Sequence, residues 1–166
     1  MENKPSITIE LKKYLHDFLL HDFKTDAGGA IILHKRNDIG LYIDSMWCVS
    51  DLPVKSPERK NPVRFLLPLS EENHYVLKYN FLYVPAWKER QICEYLETEF
   101  RRRVRDFFTT GYEKKFKQKD IIEAFLKHYG FKNNAINFDQ IKKLDYRNRE
   151  NFKSKILNEI QDSIIQ

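Results

Sequence analysis

AIILHKRNDIGLYIDSMWCV, residues 30–49, decides the fold class. Its two ends, AIILHK and LYIDSMWCV, are rich in branched apolar residues and break the helical spacing found on either side, so they predict two strands. RNDIG between them supplies a turn centred on Asn37 and Asp38. A hairpin flanked by helical patterns makes the chain α+β rather than all-helical.

Upstream, ITIELKKYLHDFLLHDF (7–23) places Leu11, Leu15, Phe18, Leu19 and Phe23 at helical spacing and predicts one amphipathic helix, broken at TDAGG. Downstream, DLPVKSPERKNP (51–62) holds three prolines and no apolar period, which predicts an exposed loop. VRFLLPL (63–69) reads as a third strand ended by Pro68, and HYVLKYNFLYV (74–84) as a fourth, weakened at Asn80. The expectation is a small antiparallel sheet of three or four strands, flanked by helices, forming an α+β unit over residues 1–84.

Residues 85–166 read as a helical, basic region packed with the first unit. Pro85 suits a helix start, and Ile92, Leu96, Phe100, Val104, Phe107 and Phe108 then recur at three or four residues, as a core stripe joining the two halves. Glu89, Glu94, Glu97 and Glu99 come early and Arg101, Arg102, Arg103 and Arg105 late, which matches the helix dipole. TTGY (109–112) is the expected end. Ile121, Ile122, Phe125, Leu126 and Tyr129 mark a short helix that stops at Gly130. Asn137 with Gln140 resembles a capping box opening another helix, 137–150, with Phe138, Ile141 and Leu144 inward. Phe152, Ile156, Leu157, Ile160 and Ile164 continue an apolar stripe as a third helix or an extension.

The 166 residues suit one domain, or one with a helical extension, and 42% hydrophobic content supplies a core. The longest apolar runs, such as FLL (65–67), are far below the roughly 20 residues of a membrane span. MENKPSITIE lacks the apolar segment of a signal peptide, and Cys48 and Cys93 are too few for a disulfide framework, so a cytoplasmic, reduced protein is expected. Charge is uneven. Residues 1–85 carry 11 Lys/Arg against 11 Asp/Glu, residues 86–166 carry 18 against 13, and residues 101–155 carry 16 against 7. A basic half beside a neutral half points to a polyanion partner, because clustered cations attract phosphates and release their counterions.

Catalytic patterns are poor. His16, His21, His34, His74 and His128 include no pair at the i, i+4 spacing of a helical zinc site, and AGGA (27–30) lacks the lysine of a phosphate loop. Cys48 and Cys93 read as core residues. Asp38, Asp44 and Asp51 fall at intervals a magnesium-dependent nuclease uses, but turn and strand-end aspartates serve structure far more often. No enzyme, metal or cofactor is expected.

The binding signal is KLDYRNRENFK (143–153). With Phe138, Ile141 and Leu144 inward, helix 137–150 turns Gln140, Lys142, Lys143, Tyr146, Arg147 and Arg149 outward, and Lys153 follows. A short helix over 120–129, a Gly-bearing turn and this basic helix together form a helix-turn-helix-like pattern. Arginine forks onto guanine edges or phosphates, Gln140 and Asn148 suit adenine, and Tyr146 suits a phosphate or sugar. Asp145 and Glu150 interrupt the positive face, and the competing interpretation is an ordinary solvated surface.

FDQIKKLDYRNR (138–149) also resembles the C-terminal signature of small proteins encoded by phages and mobile elements of gut bacteria. That signature is an acidic residue, an aliphatic, a Lys and then Tyr-Arg-x-Arg, here Asp139, Ile141, Lys143, Tyr146, Arg147 and Arg149. The same proteins have a Leu-rich N-terminal helix, a Leu-Pro strand end (here Leu67 and Pro68) and an amphipathic central helix. The likeness covers these twelve residues well and the rest of the chain thinly, and Asp145 stands where the pattern has an aromatic. It implies a DNA-associated role and carries over no catalytic residue. The expected function is a non-enzymatic DNA-binding protein, a regulator or accessory of a phage or mobile element, with duplex DNA as partner and an N-terminal unit that forms a homodimer or binds a protein. The alternative is a protein–protein interaction module or a phage structural or assembly protein. Salt-dependent retention on DNA separates the two.

Overall fold

The computed structural model describes residues 4–165; the first three residues of MENKPSITIE lie outside them. The protein is α+β. It divides into two compact units, Met1–Thr98 and Glu99–Gln166, and the division falls inside a long helix.

In the first unit the segment expected as one helix over 7–23 is a strand followed by a helix. Ile7, Thr8 and Ile9 are β-branched and alternate in burial, so they form β1 (Ser6–Glu10). Helical spacing begins only at α1 (Lys13–Asp22), which buries Leu15, Phe18 and Leu19. β1 pairs antiparallel with β4 (Pro62–Leu66), setting Ile7 opposite Phe65 and Ile9 opposite Val63. The other edge of β4 receives β2 (Ile31–Ile32) in parallel.

The hairpin expected over 30–49 does not form. After β2 the chain enters α2 (Asp38–Asp44) and then β3 (Cys48–Ser50). Asn37 is the cause: its Oδ1 accepts the Gly40 N–H at 2.8 Å, a helix N-cap, and Asp38 occupies the first turn. Asn-Asp serves a tight turn or a helix start equally well, and burial of Ile39 and Ile43, four apart, favours the helix. The fourth expected strand, 74–84, is likewise split. Ser70 and Asn73 exchange backbone-to-side-chain hydrogen bonds ahead of α3 (His74–Tyr79), and only Phe81–Tyr83 is extended, as β5. β5 pairs antiparallel with β3, so the strands make a mixed sheet, β1-β4-β2, and a separate pair, rather than one antiparallel sheet. The proline-rich loop is exposed over 51–58 but tethered at Arg59, whose guanidinium meets Glu89 through two hydrogen bonds of 3.1 and 3.2 Å. Cys48 and Cys93 are free and half-buried rather than core. The Cys93 thiol donates to the Glu10 carbonyl, and burial beside Glu89 and Glu97 pushes its pKa up.

Helix α4 (Ala86–Glu113) buries Ile92 and Leu96 in the first unit and Phe100, Val104 and Phe108 in the second. It runs through TTGY instead of ending there, because Gly111 is a packing position: a Cβ on it would lie 2.6 Å from Ile121 Cδ1. The helix stops at Lys115, which adopts φ +60. Lys115 N–H then donates to Tyr112 O and Phe116 N–H to Gly111 O, closing the last turn. Helix α5 (Gln118–His128) buries Ile121, Ile122, Phe125 and Leu126 and ends the same way at Gly130, φ +69. The Phe125 ring meets Phe107 at 5.3 Å and Phe100 at 5.9 Å, both edge-on. Helix α6 (Ala135–Ile165) packs on α5. Among the described residues, no helix is long and apolar enough to cross a membrane.

Candidate nucleic-acid interface

The α5–α6 connection is closed by backbone hydrogen bonds at the end of α5 and by asparagine side chains at the start of α6. Phe131 N–H donates to Leu126 O and Gly130 N–H to Lys127 O, which finishes α5. α6 begins two residues earlier than expected: Asn134 is its cap, accepting Asn137 N–H on Oδ1 at 2.9 Å, while the Asn137 amide donates to Lys132 O. Of the two readings of the stripe after residue 150, a third helix or an extension, the extension holds: α6 is one continuous helix.

Burial fixes how α6 is turned. Ile141 is 3% and Asp145 2% exposed, whereas Phe138 and Leu144, both expected inward, are only half-buried. Asp145 does not interrupt the outer face. Its Oδ2 accepts Tyr112 Oη–H at 2.8 Å and the Gln118 amide at 2.8 Å, and pairs with Arg149 at 3.1 Å. Three helices therefore meet on one carboxylate. The Tyr112 phenol is pushed up to about 12, first by burial and then by its hydrogen bond to Asp145. After Asp145 no residue of α6 is buried, and Phe152, Leu157, Ile160 and Ile164 are exposed.

The seven residues singled out in the sequence divide into three groups. Lys142, Lys143, Tyr146 and Arg147 are exposed and line one shallow depression of about 420 Å³ with Gln118. Lys142, Lys143 and Arg147 have no carboxylate partner among the described residues. Arg149 lines the same depression but is partly committed, bound to Asp145 and lying over the Tyr112 ring at 5.6 Å. Gln140 and Lys153 are exposed beyond it. Asp139 is an acidic member of the lining.

A second groove, about 620 Å³, lies between α4 and α6 and is lined in part by Arg105, Tyr112, Asn148 and Phe152. Sequence reasoning placed none of Arg105, Tyr112 and Phe152 at a site, because they come from two helices whose adjacency no spacing reveals. Asn148 Nδ2 is buried there without a hydrogen-bond partner. Elsewhere, Asp44 is taken by Lys35 and Trp47, and Asp38 and Asp51 do not join it. No cluster of three or more His, Cys, Asp or Glu able to hold a metal occurs among the described residues.

No protein-family model, curated protein or solved structure matches this chain.

Proposed function

We propose that the protein binds nucleic acid, with duplex DNA as the expected form, through the outer face of α6, in a role without a catalytic step. The observation that carries this reading is the set of exposed cations Lys142, Lys143 and Arg147, left unpaired around the exposed ring of Tyr146. On α1, Lys13 is balanced by the i, i+4 carboxylate of Asp17. These three are not. The unit that holds them carries 16 Lys/Arg against 10 Asp/Glu over residues 99–166, so the wider field also attracts a polyanion. The likeness of FDQIKKLDYRNR to proteins of phages and mobile elements supplies the setting, a regulator or accessory of such an element. In this reading the first unit, with Tyr75, Tyr79 and Trp87 exposed, is the surface for a second copy or a protein partner.

A titration of duplex DNA at a series of salt concentrations tests it. Each neutralised phosphate contributes about 0.9 to the slope of log affinity against log salt. Lys143→Ala with Arg147→Ala should therefore weaken binding and flatten the slope by about two. Arg149 is left in place because its removal would strip a partner from a buried carboxylate. Lys55→Ala with Lys60→Ala, exposed cations of the first unit, serves as control. Equal affinity and slope in the parent and the α6 variant would overturn the proposal.

A further inference from the structure

The groove between α4 and α6 has a composition that the outer face of α6 does not use. It combines a buried donor with no acceptor, an exposed aromatic ring and a cationic lip. Asn148 Nδ2 is the donor, inaccessible to bulk water and unbonded. Buried amide groups are nearly always satisfied by protein or water, so this orphan calls for an acceptor, which a water or a ligand in the groove would supply. Phe152 is the ring, 66% exposed at the groove's edge. Tyr112 cannot serve as the free ring, because its hydroxyl is bound to Asp145 and its face is covered by Arg149. Arg105, Arg149 and Lys153 form the cationic lip, with side chains 59%, 51% and 70% exposed, and each pairs with one carboxylate, Asp106, Asp145 and Glu150 respectively. Two carboxylates also line the groove, and both are engaged: Asp145 by its three donors, and Asp106 by Arg102 and Arg105.

A planar ring with carbonyl oxygens at its edge and a phosphate on each side satisfies all three features at once. We infer that this groove takes one unpaired nucleotide, its base stacked on Phe152, a base carbonyl accepting from Asn148, and its phosphates on the lip. The volume of about 620 Å³ lies in the range of small-ligand sites. A base inside a duplex is paired and stacked and cannot enter, so the site separates single-stranded from double-stranded nucleic acid. The inference rests on the proposed nucleic-acid reading and deepens it by naming the form of strand that binds best.

The test uses the full chain with three labelled probes: an oligothymidylate, a blunt duplex of the same length, and that duplex with a short thymidylate overhang. The oligothymidylate and the overhang duplex should bind about tenfold tighter than the blunt duplex, the size of one base–aromatic stack. Phe152→Ala should remove that advantage and leave blunt-duplex affinity unchanged, and Phe152→Trp should restore it. Because Phe152 is exposed, its replacement leaves the core intact, which circular dichroism checks. Asn148→Leu should lower affinity for the oligothymidylate and the overhang duplex and leave the blunt duplex unchanged. Blunt duplex binding as tightly as the other two probes would overturn the inference while leaving the α6 face standing. So would an equal loss on all three probes in Phe152→Ala. Failure of every probe to bind would overturn this inference and the proposed function together.

Discussion

Asp145 sits one position from Leu144, and the sequence favours Leu144 as the inward residue. Amphipathic reasoning assigns the interior to the apolar neighbour, since burying a carboxylate is costly unless donors surround it. The donors here, Tyr112 and Gln118, lie on two other helices, so nothing local announces them. The consequence is measurable through Tyr112. Its pKa, raised from 10.0 to about 12, means that the fold favours the neutral phenol. The sign follows: the stabilisation is complete below the unfolded value near pH 10 and is lost as pH rises toward 12. Urea midpoints of the parent should therefore fall relative to Tyr112→Phe across that window. Lys12, raised by its bond to Glu97, titrates in the same direction but is common to both proteins and cancels. Parallel curves for the two proteins would show that Tyr112 contributes no such linkage.

Among the elements, the long helices were legible and the short pieces were not. The stripes of α4 and α5 repeat over several turns, and their burial matches the sequence period at Ile92, Leu96, Val104, Ile122 and Phe125. β2, α2, β3 and α3 have two to seven residues, too few for a period to separate helix from strand, and at α2 the Asn37 cap decided it instead. The end of α4 escaped for another reason. Gly111 looks like a helix terminator but admits the Ile121 side chain, and the true terminator is a lysine. Lys115 holds the left-handed conformation that a glycine adopts without steric cost. Lys115→Gly should therefore raise stability by about 1 kcal/mol, the usual scale of that strain. Chemical denaturation gives the answer, and a loss of stability would mean that the lysine side chain contributes more than the strain costs.

At the scale of the molecule, charge was legible and the groove was not. The excess of cations in the second half needs only counting, and the outer residues of α6 follow from one helix's own period. The α4–α6 groove needs two helices brought side by side, which no single-helix pattern encodes. The second unit depends on a cluster of rings, with Phe100 only 6% exposed and meeting Phe125 and Phe131. Phe100→Ala should cost roughly 3–5 kcal/mol, the range for a buried Phe. Far-UV circular dichroism during denaturation reads that loss. Trp47 and Trp87 both belong to the first unit, so their fluorescence reports separately on whether that unit unfolds in the same step.

The carboxylate shared by α4, α5 and α6 also sets a phase. An apolar seam between helices tolerates small rotations, since one methyl group replaces another at little cost. A slip of one residue along α6 turns the helix by about 100° and presents Leu144 or Tyr146 to the donors of Tyr112 and Gln118. Leucine accepts no hydrogen bond, and a phenol oxygen cannot replace a carboxylate facing the Arg149 cation. One rotational setting is thereby keyed and its neighbours are refused. That setting keeps Lys142, Lys143 and Arg147 turned to water, so the buried acid works as the index mark for the basic face it does not belong to.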